Sequence, residues 1–433
     1  MNFKIKGGKK LKGTAITNTA KNSAVAMLCA SLLNKGKTIL RDVPRIEEVE
    51  RINEVLKSIG VKIKWLSHSD LEITPPNKVN MKEIDQKAAI KTRSIILTLG
   101  ALIHDFKNFK IPQAGGCKLG ARTVKPHFFA LENLGVDIQT KKNYYEIKHK
   151  GLKSNKIVLY EAGDTVTENA IMAASKIPGE TIIKKASANY QVQDLCNFLT
   201  KLGITIKGIG TTTLKIYGKK DLNKNIEYHL CEDPIESMLY ISIAATTNSE
   251  ITIKRCPIEF LELELLKLEK MGFNFKISKT YKSKNGFTDL VDIKTYKSDL
   301  KALNEKIAPR PFPGINIDNL PFFVPIATQA KGETLIHDWV YENRAIYYTE
   351  LQKLGADINL ADPHRVYIKG KTNLKANEII APPALRPAAI ILIAMLAAPG
   401  ESILRNVYSI RRGYEDLANR LSKELGADIK RID

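Results

Sequence analysis

The chain has 433 residues, of which 44% are hydrophobic, with 67 Lys and Arg against 46 Asp and Glu for a formal net charge of +21. That balance excludes a largely disordered polymer and leaves room for two or three hydrophobic cores. No stretch approaches the roughly 20 apolar residues of a membrane span, and the N-terminal MNFKIKGGKKLKG lacks the apolar core of a secretion signal. Cys29, Cys117, Cys196, Cys231 and Cys256 are widely spaced and form no CxxC pair, which argues for a reducing cytosol rather than a disulfide framework or a zinc site. The lysines are scattered without an aromatic RNA-binding signature, so the charge alone identifies no nucleic-acid partner.

In chain order, one pattern recurs six times: an apolar helical stretch, a closing Leu-Gly, Ile-Gly or Met-Gly, then alternating strand residues. The copies read LKSIGVKIKW, LENLGVDIQT, LTKLGITIKG, LEKMGFNFKI, LQKLGADINL and SKELGADIKR. Their glycines, Gly60, Gly135, Gly203, Gly272, Gly355 and Gly426, stand 68 to 83 residues apart, as one unit copied six times would place them. A helix ends well on a left-handed residue, which glycine adopts without penalty. Upstream of most copies a turn glycine leads into a strand (NKGKTILRDVP, PGETIIKKAS, KGETLIHDWV, PGESILRNVY, and NSEITIKRCP as a weaker version). Helices such as Ile46 to Ile59 and Arg344 to Leu354 fill the interval, so each unit is mixed α/β. The apolar run Ala388 to Ala398 reads as a buried helix, and six units fit two domains of three.

The helix starts carry an unusual set of cations. Lys21 and Asn22 open NSAVAMLCASLLN, Arg93 lies near the start of SIILTLGALI, and Arg122 stands just before VKPHFFALENLG. Asn343 and Arg344 open AIYYTELQKLG, Arg386 precedes PAAIILIAMLAA, and Arg412 precedes GYEDLANRLSKELG. A cation there opposes the helix dipole by about 0.3–1 kcal/mol. Six such placements point to an anion gathered by free helix N–H groups; the alternative is ordinary surface charge in a basic protein. Cys117 sits in the glycine-rich loop 114–122 beside Lys118 and Arg122, cations that favour thiolate and make the sulfur a nucleophile or proton donor. The prolines of Pro311-Phe312-Pro313-Gly314 deliver Asp318 to the start of an apolar helix, where it is either an N-cap or a carboxylate placed to take a proton from a hydroxyl. No phosphate loop is complete, no spaced His/Cys cluster forms a metal site, and the histidines, His127 and His337 among them, stand singly and read as structural.

Together AKNSA (20–24), GGCKLGAR (115–122), PGINIDNL (313–320), VYENRA (340–345), LRPAA (385–389) and RRGYE (411–415) resemble the enolpyruvyl transferases over nearly the whole chain, in the branch whose loop carries a cysteine. The resemblance implies an inside-out α/β barrel of six units, with domains at 22–231 and at 1–21 plus 232–433 and the active site between them. It implies enolpyruvyl transfer from phosphoenolpyruvate to the 3′-hydroxyl of UDP-N-acetylglucosamine, with no cofactor, metal, nucleic acid or membrane, by a cytoplasmic monomer. Lys21, Asn22, Arg122 and Arg412 would hold phosphoenolpyruvate. Cys117 would protonate its methylene carbon and be the target of fosfomycin. Asp318 would act as base, with Lys21 as a further catalytic residue. Arg93, Arg122, Asp318, Val340, Arg344 and Arg386 would serve the sugar nucleotide. The sequence departs from the family's usual acids or arginine at Lys125, Asn189, Gln191, Pro234 and Ala384, and from its diphosphate-contacting stretch at Glu161-Ala162-Gly163-Asp164. Those departures concern the uridine end, and they leave open another nucleotide sugar or hydroxyl acceptor, or a non-catalytic or RNA-directed relative of the fold.

Overall fold

All six repeat glycines have positive φ, from 69° at Gly426 to 107° at Gly203, the left-handed conformation a helix end demands and an L side chain resists. The computed structural model describes residues 1–113, 115 and 123–433. It divides into two compact units, one holding residues 19–113 and 123–231, the other residues 1–18 and 232–433.

Each unit carries three sheets, and the sheets repeat one topology. In the first, Thr38–Arg41 leads into the helix Glu47–Ser58, Gly60 turns the chain, and Lys62–Trp65 returns through Leu71–Thr74. Leu71–Thr74 lies between the other two strands and is antiparallel to both. Asn108–Pro112 with Tyr144–His149 and Val136–Thr140, and Gly179–Lys184 with Thr213–Gly218 and Thr205–Lys207, repeat that order within the unit. In the other unit, Glu250–Pro257 pairs with Asp289–Thr295, and Gly332–His337 with Arg365–Gly370. The last copy is completed from the opposite chain end: Asn2–Gly7 lies between Gly400–Arg405 and Asp428–Ile432.

Burial shows why the barrel is inside out. Every residue of the helix Pro234–Thr247 is buried, as is nearly all of Leu385–Ala397, which contains the long apolar run. A helix apolar on all sides must be surrounded by protein. The strands alternate instead: Thr38–Arg41 and Leu71–Thr74 bury every second residue and leave the others half-open, so one sheet face covers helices and the other meets water. Cys29, Cys196, Cys231 and Cys256 are buried and form no disulfide among the described residues, as their apolar contexts imply.

Three helix starts differ from expectation, one of them the stretch after Arg344, where Ala345–Leu354 is 3₁₀. The stretch opening at Arg93 is a 3₁₀ turn, Arg93–Thr98, before the short helix Leu99–Leu102. Arg412 opens no helix: it follows the single turn Tyr408–Arg411, and the next helix is Leu417–Leu425. Gly413 makes room for Leu385, since a Cβ there would lie 2.2 Å from that side chain, and Asp416 turns the backbone at φ 43° before the next helix begins.

Candidate active site

Within the unit of residues 1–18 and 232–433, Asp318 is the hub of a charged cluster. The turn 309–319 is set by backbone bonds from Arg310 to Ile315 and from Gly314 to Pro311, and Asn316 Oδ1 accepts from the Asp318 N–H at 2.8 Å. Of the two readings left open for Asp318 the N-cap is not the one realised: Asn319 holds that position, without a side-chain cap bond. The Asp318 carboxylate is left for cations. Arg386 Nη2 donates to Oδ2 at 3.3 Å and Arg344 Nη1 lies 3.8 Å from Oδ1.

Both guanidiniums are themselves positioned. Arg344, only 1% exposed, is clamped by the equally buried Asp338 through Nε (2.6 Å) and Nη2 (2.9 Å), and donates to the Ile317 carbonyl at 2.8 Å. Tyr348 donates to the same Asp338 carboxylate at 2.6 Å, and Tyr341 stacks beneath the guanidinium with its centroid 4.4 Å away. Arg386 donates to the Tyr414 hydroxyl at 2.6 Å. Burial pushes the Asp233 carboxyl up to about 6, against the pull of Arg386 and with Glu236 adding to the rise. One carboxylate thus faces two anchored cations with about a quarter of its side chain exposed, an arrangement that fits a proton acceptor whose position is fixed before substrate arrives.

Within residues 19–113 and 123–231, Lys21 is the first residue of the helix Lys21–Ala30, and Asn22 the second. The Asn22 amide donates to the Tyr190 hydroxyl and to Gln191 Oε1, both at 3.0 Å. Gln191 in turn donates to Glu168 at 3.0 Å. Burial, and after it the neighbouring Asp164 charge, hold the Glu168 carboxyl well above the usual range. Its second oxygen, Oε2, is buried with no hydrogen-bond partner among the described residues, as suits a neutral acid better than an ion. Asn189 caps the helix Tyr190–Leu202 through the Tyr190 N–H and donates to Asp164 at 3.0 Å. Arg93 donates to the Thr123 carbonyl at 2.9 Å; burial and then the Arg93 charge press the His127 imidazole down to about 3, so His127 is a neutral core residue bonded to Asn169.

Of the sequence-predicted residues, Asp318, Arg344 and Arg386 converge on one carboxylate. Lys21 and Asn22 share a helix start, Arg412 is half-buried two residues before Tyr414, and Val340 is exposed. Cys117 and Arg122 lie outside the described residues. The helices beginning at Lys21, Arg93, Ala345 and Leu385 have no acid in their first turn and no side-chain cap on three of the four, whereas Glu47–Ser58 opens with three glutamates. Their N-termini are therefore left electropositive. Asp338, Tyr348, Tyr414 and Glu168 were not foreseen. Tyr414 lies inside the RRGYE motif and could have been suspected; an acid on an apolar helix such as Glu168 gives no signal. Among the described residues no His, Cys, Asp or Glu group gathers as a metal site, and no helix is long and apolar enough to cross a membrane.

Comparison with known proteins bears on this arrangement. The family model of EPSP synthase (3-phosphoshikimate 1-carboxyvinyltransferase) matches residues 5–421. The chain is 35% identical over 429 residues to a UDP-N-acetylglucosamine 1-carboxyvinyltransferase of Borrelia garinii, covering 99% of this chain and 98% of that one. The Helicobacter pylori (strain Shi470) protein of the same name is 32% identical over 99% of both chains. Among solved structures, the enolpyruvyl transferase NikO from Streptomyces tendae superposes with a TM-score of 0.85 at 22% identity, covering 99% of this chain and 98% of that one. EPSP synthase from Acinetobacter baumannii gives 0.76 at 18%, covering 99% and 100%. These structures share the two-domain inside-out α/β fold.

Proposed function

Because the chain belongs to the enolpyruvyl transferase family, we propose that it transfers the enolpyruvyl group of phosphoenolpyruvate to the 3′-hydroxyl of UDP-N-acetylglucosamine. Inorganic phosphate is released, in the first committed step of peptidoglycan precursor synthesis. The observation that carries the reading is the Asp318 carboxylate held between Arg344 and Arg386, a base aimed and kept available by cations that have partners of their own.

On this reading Lys21, Asn22, Arg122 and Arg412 receive the phosphate and carboxylate of phosphoenolpyruvate, and Arg93, Val340, Arg344 and Arg386 receive the sugar nucleotide. Cys117 gives a proton to the methylene carbon, leaving positive character on the adjacent carbon. The 3′-oxygen bonds to that carbon while Asp318 takes the hydroxyl proton. Loss of a proton from the new methyl group then restores the double bond as the carbon–oxygen bond to phosphate breaks. Cations fixed around developing charge lower the barrier because they need no reorganisation. The enzyme would work in the cytoplasm as a monomer on small molecules, serve cell shape and division through the wall, and lose activity when fosfomycin alkylates Cys117.

A second acceptor is favoured by one set of observations: Ala384 caps the helix Leu385–Ala397 with no side-chain bond, and the Asn189 and Gln191 amides are turned inward to Asp164 and Glu168. Phosphate release from phosphoenolpyruvate, measured against a panel of nucleotide sugars and other hydroxyl acceptors, tests both readings. Release with UDP-N-acetylglucosamine supports the first, release only with another acceptor the second, and no release with any acceptor overturns the transferase reading.

A further inference from the structure

The cavity at the open end of the sheet formed by Gly332–His337 and Arg365–Gly370 is lined by Lys306, Leu335, His337, Asp362, His364 and Arg365 and encloses about 490 Å³. None of these residues belongs to the Asp318 cluster. His337 and Arg365 are direct cross-strand partners, so their side chains rise on the same face. A third cation is brought in by the backbone: the Ile307 N–H donates to the Leu335 carbonyl and the His337 N–H to the Ile307 carbonyl, both at 2.9 Å, which sets Lys306 alongside.

The one acid lining the cavity balances only Arg365. Asp362 is committed to its own turn, accepting from Arg365 Nε at 2.6 Å and from the backbone N–H groups of His364 and Arg365 at 2.8 and 2.9 Å. Lys306 has no ion-pair partner and the His337 ring no hydrogen bond among the described residues. His364 Nδ1 donates to the Asp338 carbonyl at 2.9 Å, which leaves its Nε2 for another partner. A metal ion would be repelled by the ammonium and guanidinium, and an apolar ligand would strand them.

We propose that this cavity is a binding site for a small phosphate-bearing anion, held by Lys306, Arg365, His337 and His364. Four groups able to carry positive charge, with one acid already paired, suit a dianionic oxyanion, whose several acceptors take charge-assisted bonds from more than one side. The volume admits a phosphate monoester as readily as inorganic phosphate. In the empty site burial, then the charges of Lys306 and Arg365, lower the His337 pKa, Asp362 opposes them and His364 adds a further small lowering. A bound dianion reverses that balance and raises the His337 pKa.

The test follows the histidine ring resonances of the full chain by NMR, titrated with inorganic phosphate or with glycerol 3-phosphate against chloride at constant ionic strength. Saturable binding that raises the His337 pKa by about one unit, and weakens at least about ten-fold in Lys306→Ala combined with Arg365→Ala, is the expected result. Saturation at lower glycerol 3-phosphate than phosphate identifies an ester as the preferred form, and the reverse order identifies the free ion. Turnover of the double variant in chloride buffer stays at the wild-type rate, which shows that it folds. Identical His337 titration in phosphate, ester and chloride overturns the proposal, as does a phosphate-induced shift that persists undiminished in the double variant.

Discussion

Around Asp318 charge is met by charge: two arginines, each buried or nearly so, converge on it, and one of them is balanced by the buried Asp338. Around Asn22 the same task of holding a polar side chain still is done by the Tyr190 hydroxyl, the Gln191 amide and a Glu168 whose carboxyl burial holds well above the usual range. The two solutions fail differently. Removing one member of a buried ion pair strands the other charge at a cost of about 3–5 kcal/mol, whereas removing one member of a neutral network forfeits about 0.5–1.5 kcal/mol per bond. The charged cluster suits a group that must carry charge during the reaction, and the neutral one suits a group that only needs orientation.

The largest break in that contrast is Asp318→Asn, which keeps shape and removes the proposed proton acceptor. Turnover in the phosphate-release assay is expected to fall about 10²–10⁴-fold, with the melting temperature within a few degrees of wild type. Retention of more than a tenth of the wild-type rate would show that the base lies elsewhere. Next comes Asp338→Asn, which leaves the Arg344 charge buried without its counter-ion; urea denaturation should report a loss of about 3–5 kcal/mol, and a loss below about 1 kcal/mol would mean that water or another acid reaches Arg344.

The neutral side of the comparison is sharpened by Glu168→Gln. If Glu168 is protonated in the folded protein, the amide replaces like with like, and the change near pH 4, where the unfolded carboxyl is largely protonated too, is within about 1 kcal/mol. The sign of the pH dependence is fixed by the direction of the shift. A carboxyl whose folded pKa lies above its unfolded value contributes fully below about 4.5, and that contribution is lost as pH rises from there toward the folded pKa. Urea midpoints measured from pH 4 to 8 should therefore fall more steeply for wild type than for Glu168→Gln, and parallel curves would show that Glu168 is ionised.

How far these features could be read beforehand depended on whether their cause is local. Gly60, Gly135, Gly203, Gly272, Gly355 and Gly426 announce six units because a helix end constrains its own residue. The cations at Lys21, Arg93, Arg344 and Arg386 were legible for the same reason, since a helix start is a local event. Arg412 was misread because nothing in the local pattern announces the left-handed backbone of Asp416, which delays the helix to Leu417. The pattern leaves Asp318 as either an N-cap or a free carboxylate, and only the fold, with Asn319 in the cap position and Arg344 and Arg386 beside the Asp318 carboxylate, separates the two. Glu168, Asp338 and Tyr414 act through partners brought to them by the fold, and no spacing rule reaches that far.

Tyr190→Phe is the finest test, since it deletes one oxygen from the neutral network and nothing else. Asn22 then keeps its bond to Gln191 Oε1, which in turn keeps its donor bond to Glu168, so the side chain stays oriented with one tether instead of two. A single neutral hydrogen bond at the weak end of the range is worth about 0.5 kcal/mol, which as substrate affinity is about two-fold. Steady-state kinetics should therefore show the KM for phosphoenolpyruvate roughly doubled, kcat unchanged, and the KM for the sugar nucleotide unmoved. A fall in kcat instead would mean that the Tyr190 hydroxyl is felt in the transition state, and the division between a charged half that reacts and a neutral half that orients would have to be redrawn.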